Sequence, residues 1–223
     1  MIESLKDIPR TPGARRIKAW VAEGEHLLQD FKYAVSDPRK IARSISAFAN
    51  HSGGRLLIGV KDNGTIAGVR NEEDVYVVAA AAESFCVPEI EVDFHAYSVD
   101  SGVTVMVATI PASETRPVYV REKEGELRAY YRVADENIAA HELMVDAWEH
   151  RTRELPLLLG ADHARLLDTV RSRGRLSADT RALALAIGAA EATAQRLAVE
   201  LAAAGALDFE HTSGGFYLVI PKG

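Results

Sequence analysis

The chain has 223 residues, a formal net charge of −6 at neutral pH and 48% apolar residues. That allows one large domain, or a medium domain with a small one, around packed cores, and it excludes a binder that works through a uniformly basic surface. A single cysteine, Cys86, excludes an internal disulfide and a cysteine-based zinc site. No run of about 18 apolar residues predicts a membrane span, and the N-terminus lacks the apolar stretch of a signal peptide, so a cytoplasmic protein with no membrane partner is expected.

Residues 14–22 (ARRIKAWVA) predict a short helix and residues 27–33 (LLQDFKY) a strand. Asp37-Pro38 predicts a helix start, with Asp as N-cap and Pro at the first helical position. Ile41, Ile45 and Phe48 then form one buried stripe, and Arg39, Lys40 and Arg43 lie off it as a basic face. Gly53-Gly54 ends that helix, RLLIGV (55–60) is a strand, and Asn63-Gly64 predicts a hairpin returning along residues 65–69. Residues 72–85 are Ala-rich and helical. Residues 89–99 and 103–110 form a second hairpin, 117–122 and 127–133 a third, and 137–150 a closing helix. The fold class is α+β, a mixed, mostly antiparallel sheet with flanking helices.

Residues 153–160 predict a linker between a first domain over 1–152 and a second over 161–223. In the second, helices are expected over 164–174, 177–188 (capped by Ser177 or Asp179) and 189–207, with a hairpin over 208–220. Three helices and a terminal hairpin describe a small winged helix-turn-helix domain. Residues 151–223 carry nine Lys/Arg against eight Asp/Glu, and the first 150 carry 17 against 24. A polyanion must therefore be met by a local patch.

The chemistry-bearing residues leave alternatives open. Gly53-Gly54 fits a helix C-cap or a backbone cradle for phosphate. Asp62 suits its turn. Asp30 lies inside an apolar strand, on one face with Lys32, its natural ion-pair partner. Glu25 can join Asp30 only if residues 23–26 turn it back. Grouped carboxylates can hold Mg²⁺ or Mn²⁺ and orient water against a phosphodiester. His51 and Arg55 flank the glycines within reach of a phosphate, and Tyr130-Tyr131-Arg132 could stack on bases. Gln195 and Arg196 lie early on the third helix, where winged helices read the major groove. That Ala/Leu-rich helix suits dimerisation equally well.

One set of motifs goes further. Glu25 with Asp30-Phe31-Lys32, S-A-F-A-N-x-x-G-G over 46–54, and L-L-I-G-V-x-D-x-G-x-I-x-G-V over 56–69 resemble the Schlafen-type AlbA domain. R-P-V-Y-V (116–120) and Y-Y-R-V (130–133) extend the likeness, which covers about residues 20–140. Some members of that family are metal-dependent RNases acting on structured RNA such as tRNA, and the resemblance places their acidic triad on Glu25, Asp30 and Asp62, with Lys32 as an electrostatic helper. Other relatives pair the domain with a helix-turn-helix segment and are described as transcriptional regulators. The chain departs from the pattern at Asp30 (usually Glu), Lys61 (often a second acid) and Ala134 (often Gly). The resemblance implies a regulator-like protein that binds DNA or RNA, with a homodimer as the default assembly. The alternatives are an endoribonuclease using Mg or Mn and a non-enzymatic protein-interaction module.

Overall fold

The computed structural model describes residues 6, 8–71, 73–99, 102–152 and 159–221. The chain divides into two compact units, Met1–Ala139 and Ala140–Gly223. Residues 153–158 of the expected linker lie outside the described residues.

The first unit opens with strand β1 (Arg10–Pro12) and helix α1 (Ala14–Glu23), followed by β2 (Gln29–Lys32), α2 (Pro38–Ala49) and β3 (Gly54–Ile58). Helix α3 (Asp74–Ala80) continues as a π-helical turn over Ala81–Phe85 into β4 (Cys86–Val87). Then come β5 (Asp93–Ser98), β6 (Thr104–Ile110), β7 (Tyr119–Arg121), β8 (Leu127–Val133) and β9 (Glu136–Ala139). One sheet runs β1-β5-β6-β3-β2 and a second β4-β7-β8-β9. The pairs β1–β5 and β2–β3 are parallel, so the first sheet is more mixed than the hairpin pattern suggested. The other pairs in both sheets are antiparallel.

Alternation along β3 and β6 explains why their sequence is almost continuously apolar. Leu56, Ile58, Met106, Ala108 and Ile110 join the α2 stripe of Ile41, Ile45 and Phe48 in one core cluster. Leu57, Val105 and Val107 face the other way, onto Phe31, Tyr97 and Ile17 of α1. A sheet covered on both faces needs apolar side chains at every position. Helix α2 starts as its sequence predicts: the Asp37 side chain accepts the Arg39 N–H at 3.0 Å, and Pro38 sits at its N-terminus. It ends at Ala49; beyond it the Gly53 N–H donates to the Phe48 carbonyl, and with φ of 76° and Ile110 alongside Gly53 has no room for a Cβ, while at Gly54 a Cβ would strike the Phe48 ring. The glycine pair is thus explained by packing.

Asn50, fully buried at the end of α2, joins that helix to the second sheet. Its Nδ2 donates to the carbonyls of Val118 and Tyr130, both at 2.9 Å, and its Oδ1 accepts the Val118 N–H at 2.7 Å. Ser46, one turn earlier, donates to the Val118 carbonyl at 2.7 Å and accepts the Tyr130 N–H at 3.1 Å. The motifs around residues 46–50, 116–120 and 130–133 are therefore one hydrogen-bonded unit.

Two local expectations are corrected. Residues 65–69 are not a return strand: only Val60 and Ile66 pair, and β3 is flanked instead by β2 and β6. The turn itself forms, with Gly64 at φ 79°. The chain beyond it is drawn across Gly59, where a Cβ would lie 2.5 Å from the Gly68 carbonyl carbon. Residues 136–139 are strand β9, and the helix after them, α4 (Glu142–Thr152), belongs to the second unit and not to a domain ending at 152. Ala134, in the β8–β9 turn, has φ 51°, a conformation that favours glycine.

In the second unit, α5 (Ala161–Arg173), β10 (Leu176–Ser177), α6 (Thr180–Ile187), α7 (Glu191–Ala203), β11 (Asp208–Thr212) and β12 (Gly215–Val219) follow α4. The strands form a β10-β12-β11 sheet. Of the two cap candidates, Asp179 caps α6, accepting the Ala182 N–H at 2.8 Å. Leu143 and Ala147 of α4 pack with Leu166, Leu183, Leu197, Leu201 and Leu218 in one core.

Replacing Asn50 by Ala takes the side-chain acceptor from the buried Val118 N–H and a donor from each of the Val118 and Tyr130 carbonyls, so Asn50→Ala is expected to destabilise the protein by about 3 kcal/mol, measured by urea unfolding.

Candidate functional site

The loop between α1 and β2 decides where Glu25 points. Gly24 ends α1 at φ 73°, and His26 and Gln29 exchange backbone hydrogen bonds at 3.0 and 3.1 Å across a tight turn. That turn carries Glu25 back onto β2, where its Oε1 accepts the Phe31 N–H at 2.9 Å and its carboxyl comes up against that of Asp30. Burial, then the Asp30 contact, pushes the Glu25 carboxyl above its ordinary range.

Asp30 is 4% exposed. Its Oδ2 lies 2.6 Å from Lys32 Nζ and accepts from Ser44 Oγ at 3.4 Å, and its Oδ1 lies 3.8 Å from the Arg132 guanidinium. The expected Asp30–Lys32 ion pair is thus present, with a second cation behind it. Arg132 donates to the carbonyls of His26 and Gln29 at 3.1 and 3.0 Å and to Asn137 Oδ1 at 2.8 Å. Asn137 in turn donates to Ser44 Oγ at 3.0 Å. Arg132 therefore holds both the acid and the turn that delivers Glu25. The sequence marks it only within the Tyr130-Tyr131-Arg132 run, as a group that could stack on bases, and not as the residue that holds the acid and the turn. The Y-Y-R-V motif was the available signal.

Asp62 is exposed on the Lys61–Thr65 turn. Among the described residues, no three His, Cys, Asp or Glu side chains are grouped to hold a metal ion. The structure brings together Glu25, Asp30 and Lys32 and leaves Asp62 out of a three-acid cluster. Two carboxylates, one of them already facing two cations, do not make the oxygen-rich cage that Mg²⁺ or Mn²⁺ needs. This donor set does not fit a resident divalent ion.

Most of the cations proposed for nucleic acid are engaged within the protein. Arg43 forms a two-point pair with Glu122, Nε and a terminal nitrogen each at 2.7 Å. Tyr130 also donates to Glu122, at 2.6 Å. Arg55 reaches Gln29 and Glu23, both at 2.6 Å, over the Trp20 ring. Arg39 lies over Phe85, and Lys40 is exposed. His51 packs 5.4 Å from the Tyr131 ring, and its carbonyl accepts from Arg116. In the second unit, Gln195 donates to Asp146 at 3.3 Å and Arg196 pairs with Glu200 at 2.8 Å. Tyr130, 7% exposed and tied to Glu122, is not free to stack on a base.

An α+β domain whose central helix is spliced to a second sheet through S-A-F-A-N, with a paired-acid site at its parallel strand, is the class these features define. The family model described as Schlafen, AlbA_2 matches residues 25–141, just over half of the chain, and the chain belongs to that family. Among curated proteins, none matches it. Among solved structures it is similar to the DIP2311 protein from Corynebacterium diphtheriae, with 20% identity and a TM-score of 0.43 over 92% of this chain. The chain spans 37% of the length of that protein.

The Arg43 pair and the Tyr130 hydroxyl hold the Glu122 carboxyl down at about 2. A depressed carboxylate stabilises the fold above the unfolded value of about 4.5 and loses that contribution as pH falls toward 2. Glu122→Gln should flatten the stability profile between those limits, followed by thermal unfolding at a series of pH values.

Proposed function

We propose that this chain is a nucleic-acid-binding protein of the transcriptional-regulator type, whose first unit holds a polyanion without cutting it. The family assignment points to a nucleic-acid-related role. The observation that carries the non-cleaving part is Asp30, closed between Lys32 and Arg132 instead of open to an ion. A second reading, a metal-dependent endoribonuclease using Glu25, Asp30 and Asp62 with Lys32, is favoured by the meeting of Glu25 and Asp30. It lacks a third ligand beside them among the described residues.

In the second unit, features of α6 and α7 support a winged helix-turn-helix. The two helices bend by 97° across Gly188-Ala189-Ala190, with Gly188 left-handed at φ 64°. The β11–β12 hairpin takes the place of a wing. Yet α4 packs along α7, and both Gln195 and Arg196 are turned to carboxylates. We therefore assign this unit to assembly, with a homodimer as its product, instead of base reading. Leu185 on α6, 78% exposed, is the apolar side chain best placed to be covered.

Labelled tRNA and DNA of matched length, incubated with the full chain with and without Mn²⁺, test the proposal. The expected result is a mobility shift that weakens as salt rises, unaffected by chelator, with the RNA intact. Mn²⁺-dependent cleavage lost in both Asp30→Asn and Asp62→Ala would establish the nuclease reading in its place.

A further inference from the structure

Tyr33 follows β2 directly, and two cations close on its ring. Lys61 Nζ lies 5.0 Å and Arg70 Cζ 5.4 Å from the ring centroid. Both cations are exposed, whereas Arg43, Arg55, Arg132 and Arg196 are held on side-chain partners. Lys61 and Arg70 meet because the loop between them is drawn closed at its neck. The N–H groups of Ala67 and Gly68 both donate to the Gly59 carbonyl at 2.9 Å, and Val69 N–H donates to the Thr104 carbonyl at 2.8 Å. At its other end, Gly59 N–H donates to the Lys32 carbonyl at 2.8 Å, beside Tyr33. The close approach of Gly59 and Gly68 therefore fixes both cations against one aromatic ring. Arg70 also lies in the field of the buried Asp74, and Asp62 neighbours Lys61 on the same turn.

An aromatic ring beside two exposed cations matches the chemistry of a single-stranded polynucleotide. A base stacks on the ring while the cations move outward to phosphates on either side. A duplex keeps its base faces covered and offers phosphates, sugars and groove edges, none of which stacks on a ring. We propose that Tyr33, Lys61 and Arg70 form a contact site for single-stranded nucleic acid. This inference rests on the nucleic-acid-binding reading and names the strand type and the residues that meet it.

Fluorescence anisotropy of the full chain with labelled oligo-dT, oligo-rU and a duplex of equal length, each about 12 nucleotides, tests the site. The two single strands separate DNA from RNA. At least one is expected to bind more tightly than the duplex. Tyr33→Ala should weaken that binding about five-fold or more, with Tyr33→Phe restoring it. Lys61→Gln with Arg70→Gln should lower the slope of log K against log salt by about 1.4, the value for two phosphate contacts on a single strand. If Tyr33→Ala fails to fold, the double variant decides, since both its side chains lie at the surface. Binding by the wild-type chain that both sets of variants leave unchanged would overturn this site and spare the broader reading. Absence of binding to any of the three probes would overturn both.

Discussion

A guanidinium cannot lose its proton to escape burial, and Arg132 has no side-chain exposure. Removing such a charge from water costs several kcal/mol unless every side of it is met. Two carbonyls of the turn before β2, the Asn137 side chain, the face of Phe48 and the Asp30 carboxylate meet its terminal nitrogens and its plane here, while its buried Nε has no hydrogen-bond partner, so the Asp30 charge carries more of the compensation. The consequence runs in both directions. Arg132 requires the Asp30 carboxyl close by, and Asp30 in turn lies with Arg132 behind and Lys32 in front. Had those oxygens been free, the neighbouring Glu25 would have supplied the start of a cation site. As the protein stands, the paired acids are part of what holds the strands together.

The same economy links the motifs of the first unit. Asn50 and Ser46 connect α2 to residues 118 and 130 through buried hydrogen bonds, and Arg132 lies two residues further along the same strand, on the same face as Tyr130. The glycines of 59–68 draw the following loop over β3. Helix, strand and loop motifs that are far apart in the chain thus meet around β3, the Asn50 unit just before its start and the glycine loop just beyond its end. Lys61 and Arg70 of that loop are exposed, whereas Arg43 of α2 is taken up by Glu122.

Much of this was legible in the chain. The Asp37-Pro38 start, the Ile41–Ile45–Phe48 stripe and the two-faced apolar run of β3 follow from period and capping alone. The Asp30–Lys32 pair follows from strand alternation. The rest depended on contacts between distant segments. Asn63-Gly64 reports a turn correctly, but whether a strand returns from it depends on Gly59 meeting Gly68. The basic face of α2 is plain from its periodicity, yet Arg43 is taken up by Glu122, which lies 79 residues on. Arg132 shares the buried face of Tyr130, and the carbonyls that satisfy it there are 103 and 106 residues away. Local patterns give the elements, and the pairing of charges across the fold decides which of them remain available for a ligand.

The state of Asp30 can be read most directly by titrating Mn²⁺ into the full chain and into Asp30→Asn by calorimetry. Internal neutralisation predicts no saturable heat below millimolar Mn²⁺ in either protein. One-site micromolar binding by the wild-type chain, abolished in Asp30→Asn, would contradict it and return the acids to metal chemistry.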